Sequence, residues 1–353
     1  MPENTGTIAP LAWQRFVEEA VRRRKAEGLT QKEHSALAGV SHPTMAAFER
    51  GETTLTLAKA LDILRVVGLV DEPSEQDSQA RFVRDAFERW RELVSPLPQD
   101  SPARFPNGWY RFDYWLEGEL KTLELSAFEI ILQNALVRKT GWPPFWIPVR
   151  EAVKPYEING LIECWLPPES DDIKRGFGGP AFCDFWRAAP SGRMFLIRGY
   201  QEDGEETFPA GSILDTTLPL WRMGEVLLHA QSLAALLRKG PSSSVVVHFR
   251  AMFSGLAGRV LRSWANPLSD LLVQGHPARS DEAVLEATLP ADAIEDRLAE
   301  YLTPLLASLY DRFGVAGLSL NRVEAEVHRL LNSSVGRQRA LAQARPEPLG
   351  KQR

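Results

Sequence analysis

The 353-residue sequence predicts a multi-domain chain, an all-α helix-turn-helix N-terminal domain followed by a larger α+β domain. Three observations carry this expectation. At roughly 150 residues per domain, the length suits about two domains and a connection. Residues 11–70 hold short apolar runs at helical spacing, divided by glycines and capping residues. Beyond residue 108 the character changes: eight of the ten tryptophans fall between Trp109 and Trp264, beside β-branched and aromatic runs such as SVVVHFRAMF and RMFLIRGY. The bulk composition, 44% hydrophobic and 25% charged, is that of an ordinary globular protein and excludes a disordered chain or a disulfide scaffold.

In chain order, residues 1–10 read as a flexible start and 11–70 as the helical domain. Residues 71–79, DEPSEQDSQ, carry four acids and read as an exposed linker. In 80–95, Phe82, Phe87, Trp90 and Val94 recur at near-helical steps, so 71–100 reads as acidic linker plus connecting helix. Three prolines in 97–108 break the pattern, and 101–335 is the expected α+β domain. Its expected helices are 126–138 (with Ser126 as N-cap), 221–239, 291–313 and 321–332, and its expected strands are 109–115, 158–166, 193–200, 243–253 and 282–289. Strands and helices do not alternate regularly, which favours α+β over a βαβ succession. Residues 336–353 hold five basic residues and one acid, a mobile basic tail.

No run of about 18 uncharged apolar residues occurs, so no membrane partner is expected. The N-terminus lacks a basic region followed by an apolar one. Cys164 and Cys183 form no CxxC, and the expectation is a reduced, cytoplasmic protein in which both are small buried hydrophobes. The six histidines never fall at metal-ligand spacing, and no phosphate-binding glycine motif or HExxH is present; neither cofactor nor metal is expected. Phe177-Gly-Gly-Pro180 reads as a turn. The net charge of −5 confines any nucleic-acid contact to a local surface.

The informative segment is GLTQKEHSALAGVSHPTMAAFERGETTLTLAKALDIL, residues 28–64. Thr30 and Glu33 form a capping box, starting a helix at Gln31. Gly39 stops it, since glycine tolerates the left-handed conformation of a tight turn. Ser41 caps a second helix, with Pro43 in the first turn where its missing N–H costs little. Met45 and Phe48 share a face that should point inward with Leu37 and Val40. Gly51 ends the helix. Helix, glycine turn and helix make the bihelical unit that can lay its second helix in the DNA major groove.

Gly-Leu-Thr-Gln, then Ala-Gly-Val-Ser, then Phe-Glu-Arg-Gly, then a leucine-rich helix resembles the XRE family of helix-turn-helix regulators, relatives of phage Cro and repressor proteins, over residues 13–69. The resemblance implies helices near 12–26, 31–38, 42–50 and 57–68, with a fifth supplied by 80–95. It implies double-stranded DNA as partner, Gln31 as a phosphate contact, and His42, Pro43, Thr44 and Ala47 at groove-facing positions. Lys32, Ser41 and Arg50 complete the candidate DNA-binding set. The family's arginine–glutamate pair falls on Arg24 and Glu49. The sequence departs from the pattern at His34 and Ser35, where the family has leucine then alanine, and at Glu52, where a basic residue is common. The domain is only slightly basic, so a homodimer that doubles the phosphate contacts is expected. The stripe on 80–95, or Leu298, Tyr301, Leu302, Leu305 and Leu306, would supply the contact.

Other features have two readings. Arg22, Arg23 and Lys25 compensate a helix dipole or touch phosphate. Trp142, Trp146, Trp165 and Trp186 pack a core or line a pocket for a small-molecule effector; a protein effector is equally open. Asp113 with Glu119-Leu-Lys121 has the residue types of a metal-dependent nuclease, and a DNA-targeted enzyme is the alternative to a non-enzymatic regulator.

Overall fold

The structure, a computed structural model, describes residues 12–70, 75–170, 178–267, 269, 271 and 275–333. The expected flexible start, the first part of the acidic linker and the basic tail lie outside the described residues, as does Phe177. The chain divides after Ser78 into two compact units.

The first unit contains α1 (Trp13–Ala26), α2 (Gln31–Leu37), α3 (His42–Glu49) and α4 (Leu57–Val66). Its core gathers Val17, Ala20, Met45, Phe48, Ile63 and Leu64, with Trp13 edge-on to Phe48 at 5.4 Å. Gly39 has φ +64°, the left-handed turn that separates α2 from α3. Gly51 has φ +76°, and a Cβ there would meet the Gln14 amide at 2.4 Å, so both conformation and space require glycine. Leu37 departs from the expected core, being 64% exposed. The inward arc of α2 is His34, Ser35 and Ala38, and at 3.6 residues per turn Leu37 lies about 110° from its centre. His34 fills the place of an apolar residue by pairing its Nε2 with the Ile63 carbonyl at 2.9 Å, tying α2 to α4.

The second unit is built on a seven-stranded antiparallel sheet. Its strands are β1 (Trp109–Gly118), β2 (Tyr156–Ile158), β3 (Leu161–Trp165), β4 (Phe185–Ala189), β5 (Arg193–Gly199), β7 (Val245–Phe253) and β9 (Ala283–Pro290), in the order β2-β3-β4-β5-β1-β7-β9. A separate parallel pair joins β6 (Ile213–Asp215) to β8 (Val260–Arg262). Alternation fixes the faces: Tyr110, Phe112, Tyr114 and Leu116 of β1 enter the main core with Val245, Val247, Phe249 and Ala251 of β7. Helices α6 (Leu125–Ala135), α7 (Leu218–Leu237), α8 (Leu298–Asp311) and α9 (Leu320–Leu331) supply the rest of that core. Helix α7 is buried along most of its length, as befits a helix apolar on nearly every side.

Several boundaries differ from expectation. Helix α6 starts at Leu125 with Glu124 at its N-cap position, so Ser126 lies inside the helix. The expected helix 291–313 is a short 3-10 turn at Ala291–Ala293 followed by α8. Strand β4, FWRAA, was not foreseen: all five residues are buried, which removes the alternation that marks a half-exposed strand. Helix α5 (Glu75–Val94) is longer than expected, and from Gln79 onward it belongs to the second unit. Its Val83, Ala86, Trp90 and Val94 pack on Phe105, Phe185, Phe195 and Ile197, and Trp90 stacks on Phe105 at 5.5 Å. Leu298, Leu302, Leu305 and Leu306 likewise enter the main core. Both stripes offered as dimer contacts are therefore taken up inside the chain. An apolar stripe in sequence looks the same whether it meets a partner or the chain's own sheet.

Candidate nucleic-acid interface

The N-terminal turns of α2 and α3 are built by side-chain caps. Thr30 Oγ1 accepts from the Glu33 N–H at 3.2 Å, and Glu33 accepts from the Thr30 N–H at 2.8 Å, closing the capping box. The Thr30 N–H, with the Thr30 hydroxyl that donates to the same carboxylate oxygen at 2.7 Å, holds the Glu33 carboxyl below its ordinary range. Ser41 Oγ accepts from the Thr44 N–H at 3.3 Å and lies 2.8 Å from Thr44 Oγ1, with Pro43 in the first turn.

The caps leave a defined surface. Ser41, His42 and Pro43 are exposed, and Thr44 and Ala47 are half-buried on the same helix. The opposite face, Met45 and Phe48, is fully buried and fixes the rotation of α3. Gln31 is half-buried at the start of α2, and its Nε2 donates to Glu49 Oε2 at 3.0 Å. Arg24 donates to the other oxygen of Glu49 at 2.9 Å and to the Leu29 carbonyl at 2.8 Å. One carboxylate thus ties the end of α1, the start of α2 and the end of α3. The Arg24–Glu49 pair is in reach, as the family pattern implied. The bond from Gln31 to Glu49 was not foreseen; a residue eighteen positions away leaves no local signal.

Of nine Lys and Arg between residues 12 and 70, Arg22 and Arg23 pair with Glu19, Arg24 with Glu49, Arg50 with Glu52 and Arg65 with Asp62. Arg23 also donates to the Val67 and Gly68 carbonyls, capping the end of α4. The basic cluster closing α1 is thereby partly architectural. Lys32 is exposed on α2. Arg50 donates to Glu52 at 2.8 Å, so the acid that departs from the family pattern neutralises a candidate contact.

The alternative sites of the second unit come out differently. Asp113 is buried, with Arg111 Nε 3.0 Å from one oxygen and Gln79 donating to the other at 3.3 Å. Burial raises its pKa. Glu119 follows the end of β1, about 20 Å away by strand rise, and Lys121 donates to the Leu236 carbonyl. These three do not converge, and among the described residues no three His, Cys, Asp or Glu side chains cluster as metal ligands. Trp142 donates to Asp184 and Trp186 to the Trp146 carbonyl, both inside the core, while Trp165 packs beside α5. A small cavity of about 10 Å³ lies elsewhere, lined by Tyr110, Tyr200, Glu202 and Arg222, with room for about one water. Cys164 and Cys183 are buried thiols that donate to the Val153 and Gly179 carbonyls and do not form a disulfide. Among the described residues no helix is long and apolar enough to cross a membrane.

Residues 22–72 match a family model described as helix-turn-helix, HTH_3. No curated protein and no solved structure matches the chain. The capped α2 and α3, the glycine turn and the Arg24–Glu49 pair fall within this matched segment and carry its helix-turn-helix pattern.

Proposed function

We propose that the chain is a transcriptional regulator that binds operator DNA as a homodimer through its helix-turn-helix unit. The second unit, in this reading, serves dimerisation or the sensing of a small-molecule or protein effector. The observation that carries the reading is the brace of Arg24, Glu49 and Gln31 beside the exposed first turn of α3. A side-chain amide has two hydrogens. Gln31 gives one to Glu49 and has a second for a phosphate oxygen, from a position fixed by three helices. His42 and Thr44 can reach base edges or phosphates, and Ala47 can pack on a thymine methyl. Five of the nine basic side chains are already paired, so a single unit has limited electrostatic grip. Two units spaced by one DNA turn double the contacts.

Binding to the chain's own promoter at fixed salt tests the reading. Gln31→Ala and Thr44→Ala should each weaken binding by about 1–3 kcal/mol. The Gln31 effect should be uniform across sequences, whereas the Thr44 effect should depend on the bases beneath α3. Affinity unchanged by both substitutions, in variants with native circular dichroism, would sink the assignment.

A further inference from the structure

The seven-stranded sheet has two edges of unequal character. At one end β2 has three residues, Tyr156–Ile158, a length that blunts an edge. At the other, β9 has eight, Ala283–Pro290, paired among the described residues on one side only, to β7. Natural edge strands of that length are guarded by lysines, bulges or a central proline. Strand β9 has no basic residue, its only proline is its last residue, and its outward Val284 is 45% exposed. A groove of about 340 Å³ runs beside it, walled by Glu300, Tyr301, Pro304 and Ser308 of α8. The groove is lined from both faces of the strand, by Val284 and Thr288 on one and Leu285 and Leu289 on the other. It therefore follows the strand's free side, where an added strand would lie.

We propose that the free edge of β9 is a twofold contact, in which β9 pairs antiparallel with β9 of a second copy of this chain in a register centred on Ala287. The strand's chemistry selects this occupant, because AVLEATLP is self-complementary about Ala287. In that register Glu286, already paired with Arg250 of its own β7, faces Thr288 of the second copy, whose hydroxyl lies 3.2 Å from its own His248 Nδ1, so no like charges meet there. Leu285 faces Leu289 on the α8 side, and Val284 faces Pro290 on the other, apolar against apolar. A register centred on Glu286 would instead set two like charges opposite each other, which is destabilising. An isologous contact of this kind closes on itself, so it gives a dimer and not a filament. The two apolar stripes of α5 and α8 are taken up internally, which leaves this edge as the long unpaired strand edge among the described residues of the second unit. The inference rests on the homodimer reading above, and its test is run without DNA so that the two can fail separately.

Full-length chain carrying Glu286→Cys is mixed with full-length chain carrying Thr288→Cys and oxidised mildly. The expected result is a cross-linked dimer, since opposed residues of an antiparallel pair lie about 4.5–5.5 Å apart between Cα atoms, within disulfide range. Native Cys164 and Cys183 are buried and give no background. Val284→Cys alone should not cross-link, because the register separates its two copies by six residue positions, about 20 Å. In sedimentation at micromolar concentration, Val284→Lys with Thr288→Lys should raise the dimer dissociation constant at least tenfold. Both side chains are exposed, and circular dichroism checks that the fold is kept. A monomeric native chain, a dimer indifferent to the two lysines, or Val284→Cys cross-linking as readily as the mixture would overturn the proposal. Occupation of the edge by a different protein would appear as the first of these.

Discussion

The two units use polar side chains in opposite ways. In the first, the buried polar residues are Arg24, His34 and Ser35, and the remaining polar groups cap helices or face outward. In the second, Glu163, Asp184, Arg198, Asp215, Glu225, Arg259 and Glu326 are almost wholly buried. Each ties segments far apart in the chain. Arg198 donates to Asp184 at 2.7 Å and to the Pro143 carbonyl at 3.1 Å. Arg259 joins Asp203, Asn107 and Ile213, and lies over the Tyr200 ring at 4.3 Å. Glu225 accepts from the Lys139 and Thr140 N–H groups and from the Thr140 hydroxyl. The difference teaches where each unit keeps its specificity: one at a surface prepared for a partner, the other in the mutual positions of its own loops.

The sharpest way to break that comparison is to remove one buried charge. Arg198→Met leaves the buried Asp184 carboxyl without its cation, and should cost about 3–5 kcal/mol of stability. Adding Asp184→Leu should restore much of the loss, since the uncompensated charge is gone even though Trp142 loses its acceptor. Urea unfolding followed by tryptophan emission measures both. A single substitution costing under about 1 kcal/mol would mean that water reaches this pair and that the two units are less different than their burial implies.

A pH test comes next in size. Glu202 is buried, and desolvation pushes its carboxyl up to about 7, against the N–H that Asp215 donates to it at 2.8 Å. The unfolded chain releases this proton near 4.5 and the folded chain only near 7. The folded state therefore binds more protons in that window, and stability falls as pH rises through it. The contribution is fully present below about 4.5 and lost above about 7, on the order of 3 kcal/mol in all. Glu202→Gln should flatten that part of the curve of unfolding free energy against pH. An unchanged slope would place the titration on another group.

The same contrast explains how much was legible in the sequence. Thr30 with Glu33, Ser41 with Thr44, and the turn glycines act over two or three residues, so the helices of the first unit could be placed nearly to the residue. The Arg24–Glu49 pair was reached only through the family pattern. His34 and Ser35 stood out as departures, and their burial could not be derived from local spacing, because it depends on α4 arriving above them. In the second unit the runs rich in β-branched and aromatic residues showed most strands, even β5, which is buried along nearly its whole length, but FWRAA of β4 has no β-branched residue and the ion pairs span tens of residues. No local period reports such partners. The stripes on α5 and α8 were visible as stripes, while what they faced was decided by the sheet.

The smallest effect bears on the surface of the first unit. Arg50 and Glu52 form an exposed pair just past the end of α3, and such pairs add little to folding. Glu52→Gln should leave the unfolding midpoint in place. Its effect belongs to DNA binding. Glu52 holds the Arg50 guanidinium at 2.8 Å and cancels its charge, so removing the acid frees a cation beside the reading helix. If Arg50 reaches a phosphate, one more counterion is released on binding, and the slope of log K against log salt should steepen by about 0.9 per unit. The gain in affinity should therefore be largest at low salt and vanish at high salt. Arg50→Gln, which has no cation to free, should show no such change when combined with Glu52→Gln. A slope that Glu52→Gln leaves unaltered would end the contact surface at Ala47 and assign Arg50 to solvent.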